Sequence, residues 1–153
     1  MRGFSVGGRT AATAATANHA AATLWNASST KGVYVTQISW AKTVGTADNI
    51  GIVRATARGT AGSTVTPAQQ NDSDYQAAPP SGCLLDMAAY SVQPTLASAT
   101  AYMFRFNLAA AVGAGFILPL PDPIFIPAGA GLVILTPPAT ILQPADVSFF
   151  WKE

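Results

Sequence analysis

Between Ile124 and Thr136 the chain reads apolar, turn, apolar: Ile-Phe-Ile, then Pro127-Ala128-Gly129, then Ala-Gly-Leu-Val-Ile-Leu-Thr. Proline fixes φ and offers no N–H, so it suits the opening of a turn and not a central strand. Gly129 and Gly131 can supply the positive φ that a reversal calls for. The flanking Ile, Val, Leu and Phe suit a pleated, half-buried surface. The pattern predicts two strands joined by a tight connection, the second deeply buried.

Alternation recurs elsewhere. In Val33–Thr43, Val33 and Val35 fall on odd positions, then Ile38 and Trp40 on even ones. A slip of one residue near Thr36-Gln37 would flip the buried face, which predicts a β-bulge there. Upstream, Ala20–Asn26 ends in Leu-Trp-Asn, and the polar run Ala27–Lys31 is closed by Gly32. These two strands read as a hairpin. Ile50–Arg58 sets Val53, Ala55 and Ala57 against Arg54, Thr56 and Arg58, a strand with one solvated face.

Cys83–Tyr90 is short and apolar and reads as a strand or half-turn. Thr100–Asn107 sets Tyr102, Phe104 and Phe106 against Met103, Arg105 and Asn107, a core strand with aromatic anchors. Phe116-Ile117-Leu118 is another short strand, and Pro119, Pro121 and Pro123 make a rigid link after it. Val147–Glu153, with its Phe-Phe-Trp, is a closing strand. Gly59–Gly82 is the longest polar stretch and reads as a long loop, of the kind that is functional or mobile. Residues 1–22 are rich in Ala, Thr and Gly, and Ala11–Thr23 sets no apolar face against a polar one. The expected fold is all-β: an antiparallel β-sandwich, a jelly roll of about eight strands. An extended N-terminal arm occupies 1–22 and a single domain 23–153.

Composition sharpens this picture. Only 10% of the 153 residues are charged and 50% are hydrophobic, against about 25% charged in an average soluble domain. A spanning helix needs about 20 uninterrupted apolar residues. Leu108–Leu120 and Ile124–Leu135 are both broken by Gly or Pro. Repeated alternating segments with aromatic girdles, as in a membrane barrel, are missing too. The expectation is no membrane, and a subunit that covers much of its outside with partners. The eight Lys and Arg residues are scattered and the net charge is +1. No basic stripe forms, so nucleic acid is not an expected partner. The single cysteine, Cys83 beside Leu84 and Leu85, reads as a core residue. Thr13, Thr16, Asn18 and His19 interrupt any leader-like apolar run.

Candidate chemistry is sparse. His19 is the only histidine, with no neighbouring ligands for zinc and no Gly-x-Ser-x-Gly elbow. Asp72 and Asp74 are a close carboxylate pair. The run Asn71-Asp72-Ser73-Asp74 lacks the glycine and distant glutamate of an EF-hand loop. Gly113-Ala114-Gly115 lacks the lysine of a phosphate-binding loop. The expectation is no catalytic, cofactor or metal site, and no enzyme. The candidate residues are partner contacts instead: Arg2, Phe4 and Arg9 near the N-terminus, and Gln69, Asp72, Asp74 and Tyr75 in the long polar stretch.

Three stretches carry a resemblance. They are His19–Ala27 with its Leu-Trp-Asn, the strand Gly32–Ile38, and Ile126–Ile134 with the terminal Phe-Phe-Trp-Lys-Glu. In this order they resemble small structural proteins of tailed bacteriophages, in particular jelly-roll capsid decoration (cement) proteins. The resemblance covers about two-thirds of the chain, on turn-based motifs like those found in such folds; residues 59–80 have no counterpart in it. It implies a homo-oligomer, often a trimer, on the outer surface of the capsid, bridging neighbouring major capsid protein subunits. The alternative reading is a jelly-roll receptor- or glycan-binding module of a phage fibre or tail. Tyr75 beside Asp72, Asp74 and Gln76 would then carry the sugar contact.

Overall fold

The computed structural model describes residues 2–66, 69–70 and 82–153, with the backbone alone at 69–70. Its strands form two antiparallel sheets packed as a sandwich, and the described residues contain no helix. The first sheet runs in the order β10 (Gly115–Ile126), β3 (Val33–Lys42), β12 (Ala145–Lys152), β1 (Gly3–Arg9). The two-residue β6 (Gln69–Gln70) extends it along β1. The second sheet runs β5 (Ser63–Val65), β7 (Cys83–Met87), β2 (His19–Asn26), β11 (Ala130–Thr136), β4 (Asp48–Ala57), β8 (Thr95–Leu96). β9 (Phe104–Leu108) also pairs with β4.

The slip in β3 is a bulge at Thr36. β12 alternates without a break, yet Phe150 lies opposite Gln37 and Trp151 opposite Val35, leaving Thr36 unmatched. The Thr36 hydroxyl donates to the Phe150 carbonyl at 3.2 Å. Val33, Val35, Ile38 and Trp40 are therefore all buried, on both sides of the bulge. They meet Leu24, Ile50, Ile52, Leu132, Ile134, Phe149 and Trp151 between the sheets.

The connection after β10 is tight and β11 is buried along most of its length, as the sequence predicts. Gly129 takes φ +69° and its N–H donates to the Asn26 carbonyl at 2.9 Å. Gly131 does not use positive φ; a Cβ there would lie 2.8 Å from the Trp25 ring. The hairpin expected between β2 and β3 is not formed, because the two strands lie in different sheets. Residues 27–32 arch from one sheet to the other, as 127–129 do between β10 and β11. The buried Asn26 side chain ties the two arches. Its amide donates to Lys31 O at 2.8 Å and Pro127 O at 3.2 Å, and its oxygen accepts from the Ser28 N–H at 3.1 Å.

Other expectations also need correction. β4 has no solvated face over most of its length. Ile50 and Ile52 enter the inter-sheet core, while Val53 and Ala55 lie under Tyr90, Leu96 and Tyr102. Arg54 donates to the Phe125 carbonyl, and Arg58 grips the Asp86 carboxylate through two hydrogen bonds of 2.7 and 2.8 Å. β9 is an edge element rather than a core strand. Phe106 stacks on Phe116 of β10 with ring centroids 4.4 Å apart, which closes the seam between the sheets. The proline link is part of β10, the outer edge strand, and its pairing with β3 is interrupted between Pro119 and Ile124. Proline is tolerated there because no ladder N–H is needed.

The N-terminal segment is not a free arm. β1 pairs with β12 over all seven of its residues, and Phe4 stacks on Trp151 at 5.9 Å. The Phe4 and Val6 pair, set in Gly and Ser, is a short inward stripe that seals the core. The long polar stretch is partly strand as well. Thr60 bridges Val92, Ser63–Val65 pairs with β7, and Gln69–Gln70 pairs with β1. Residues 71–81 lie outside the described residues.

Candidate interaction face on the first sheet

The outer side of the first sheet can be built row by row from the strand register. One row runs Phe125, Tyr34, Lys152, Gly3 across β10, β3, β12 and β1. The next is Pro119, Gln37, Phe150, Ser5. The third is Ile117, Ser39, Ser148, Gly7, and the fourth Gly115, Ala41, Asp146, Arg9. Each follows from period-2 alternation, since the neighbours Phe4, Val6, Val147, Phe149 and Trp151 point inward.

This face mixes aromatics with a floor of small residues. Tyr34 is 40%, Phe125 43% and Ile117 72% exposed. The Tyr34 and Phe125 rings touch, with centroids 5.0 Å apart. Among the described residues, the other large exposed apolar side chains, Val92, Met103, Val112 and Ile141, lie outside the strands. At the far end, Arg9 and Asp146 form a two-point ion pair at 2.7 and 2.9 Å. The hydrogen bond from the Arg9 guanidinium holds the Asp146 carboxyl below its ordinary range. Both partners are solvated, so the pair adds little to stability.

The second sheet contrasts with this. Tyr90, Leu96 and Tyr102, from the stretch 88–102, pack over its outer apolar side. The Tyr90 hydroxyl donates to Thr23 Oγ1 at 2.9 Å, and burial pushes its phenol pKa up. The stretch 88–102 thus covers the outer side of the second sheet, while among the described residues no such segment packs over the outer side of the first.

The sequence-predicted contacts distribute unevenly over this geometry. Arg9 stands at the end of the fourth row. Arg2 is exposed next to the first row, its N–H bonded to Glu153 O at 2.9 Å. Phe4 is only 4% exposed and points into the core, so it is not a contact. Gln69 lies opposite Ser5 along β1, by its backbone. Asp72, Asp74 and Tyr75 lie outside the described residues. Sequence reasoning missed Tyr34, Phe125, Phe150 and Lys152. Their signal is phase: Tyr34 sits between two inward valines, and Phe150 between Phe149 and Trp151.

The remaining polar groups among the described residues are scattered. Among the described residues no three His, Cys, Asp or Glu side chains are grouped to hold a metal ion. A recess of about 410 Å³ beside the β2–β3 arch is lined by residues that include Ser28, Ser29, Thr30, Lys31 and Glu153. The Ser28 hydroxyl there accepts from the N–H groups of Thr30 and Lys31.

At the opposite end, Lys42 and Asp48 are both buried. Lys42 Nζ donates to the carbonyls of Thr46 and Ala109. Asp48 Oδ1 accepts from the Gln143 N–H at 3.4 Å, while Oδ2 has no hydrogen-bond partner among the described residues. Burial raises the Asp48 pKa, more than the Lys42 charge and the Gln143 bond lower it. A carboxyl whose folded pKa is raised holds its proton more tightly in the native chain. Its stabilising effect is full below about pH 4 and is lost as pH rises through the folded value. Asp48→Asn cannot release a proton. The stability gap in favour of the variant is therefore expected to widen as pH rises through that window. Urea midpoints of both proteins, measured across the window, check this; a gap independent of pH would refute it.

No protein-family model, no curated protein and no solved structure matches this chain.

Proposed function

We propose that this chain is a structural virion protein of a tailed bacteriophage. In this reading it is a capsid decoration protein that self-associates and bridges major capsid subunits on the outer surface of the head. It acts by contact and not by chemistry. The proposed fold is a jelly roll. Strand pairing supports it: β1 with β12, β2 with β11, β3 with β10 and β4 with β9. These four pairs alternate between the two sheets, the order a folded-over ribbon of paired strands produces. β5 to β8 are then an insertion between the fourth and fifth strands of the roll.

The observation that carries the contact role is the asymmetry of the sandwich. Among the described residues, the stretch 88–102 covers the outer side of the second sheet, while aromatics and a floor of small residues stand on the outer side of the first. Aromatic residues in a low-charge setting are the typical centre of a protein interface. Many such contacts repeated over a shell add up through avidity. The experiment is to add the purified chain to phage heads that lack decoration. The expected result is co-sedimentation with the heads and a rise in the temperature at which they rupture. A chain that stays in the supernatant would defeat the proposal.

A further inference from the structure

We propose that the outer face of the first sheet, as the described residues form it, packs against the same face of a second copy of this chain. The two copies are related by a two-fold axis that runs across the strands, between the second and third rows. This deepens the contact role by naming the occupant of that face. It rests on that reading only in taking the face to be a contact surface.

The register decides the geometry. A half-turn about that axis lays each strand over its own counterpart, reversed. The first row then faces the fourth row of the other copy, and the second faces the third. Phe125 meets Gly115 and Tyr34 meets Ala41. Phe150 meets Ser148, and Lys152 meets Asp146. Every aromatic ring faces a small residue, and the lysine faces a carboxylate. Gly3 lies over Arg9, which leaves space for the longest side chain of the face.

Small residues under large ones let two sheets approach to about 10 Å, the spacing of packed sheets. The floor is tight within each copy: a Cβ on Gly7 would lie 2.7 Å from Ser148 Oγ. An axis along the strands is a poorer fit. It sets Gln37 against Phe150 in one row and Ser39 against Ser148 in the next, overfull beside empty. It also leaves Lys152 facing Tyr34, with no carboxylate. The two-fold pair differs from the three copies that the phage resemblance implies.

The charges give a test that does not depend on capsids. Lys152 and Asp146 are both exposed, so exchanging them leaves the core untouched. In a pair of Lys152→Glu chains, glutamate faces aspartate at both contacts. In a pair of Asp146→Lys chains, lysine faces lysine at both. A mixed pair, one of each, has opposite charges at both contacts.

The purified native chain is measured by sedimentation equilibrium and native mass spectrometry, at up to about 100 µM, above the micromolar constants of weak specific interfaces. It is expected at twice the chain mass. Each single variant weakens pairing about tenfold, and the equimolar mixture recovers native affinity as a mixed dimer. Ser148→Trp fills the recess under Phe150 and leaves only the single-chain mass. Unchanged circular dichroism shows that each variant folds.

A native chain that is monomeric throughout, a three-copy mass, or a mixture no tighter than its components would overturn the proposal. Such a failure leaves head binding standing, and failed head binding leaves the dimer standing.

Discussion

Phe149→Ala is expected to lower the unfolding free energy by about 4 kcal/mol, in the usual range for emptying a buried aromatic site. Phe149 is fully buried on β12, an interior strand of the first sheet. It lies opposite Ile38 on one side and Val6 on the other. Those neighbours belong to paired strands and cannot collapse into the space without breaking register. A loss of that size lowers the melting temperature by about 8–16 °C in a chain of this length. Phe150→Ala is the control. Its side chain points the other way and is only partly buried, so its cost in a dilute, unassociated sample is about 1 kcal/mol or less. Urea unfolding at constant slope measures both. Equal losses at 149 and 150 would show that the face assignment along β12 is wrong.

Arg58→Ala is expected to cost about 3 kcal/mol, because it leaves a buried carboxylate without its counter-charge. The Asp86 side chain is 1% exposed, while that of Arg58 is 38% exposed. The asymmetry matters, since truncating the outer partner strands the inner one. Only the Thr64 hydroxyl bond, at 2.6 Å, would remain among the side-chain bonds described for Asp86. Replacing both charges, with Arg58→Met and Asp86→Leu together, should cost less than the single change. Arg9→Ala removes a pair solvated on both sides and should barely move the midpoint. If Arg58→Ala behaved like Arg9→Ala, the Arg58–Asp86 contact would be only a surface pair.

The bulge at Thr36 is legible in the sequence because burial is periodic, and a slip in the period leaves a trace in residue types. The arch at Gly129 is legible as a turn, since proline and glycine constrain φ locally. Whether such a turn returns to the same sheet or crosses to the other is not local information. Here both turns cross, and the Asn26 amide ties them by reaching carbonyls near both arches. The facing of β4 misleads for a related reason. Val53 and Ala55 look like the buried side and Arg54 the wet one, yet Ile50 and Ile52 share Arg54's parity. Both sides are covered, the second by Tyr90, Leu96 and Tyr102 from a distant stretch. The face on the first sheet is hidden in the alternation of β3 and β12. Their outward aromatics stand next to inward ones, so apolar character alone assigns both to the core.

The prolines of β10 bear on behaviour at high local concentration. That strand forms the outer edge of the first sheet, where unpaired backbone groups would invite a foreign strand. Pro119, Pro121 and Pro123 have no N–H to give, and the break in register interrupts the regular template of the edge. Growth by adding strands sideways is blocked there. Crowded copies can stack sheet upon sheet, but that rim gives no seed for fibrils.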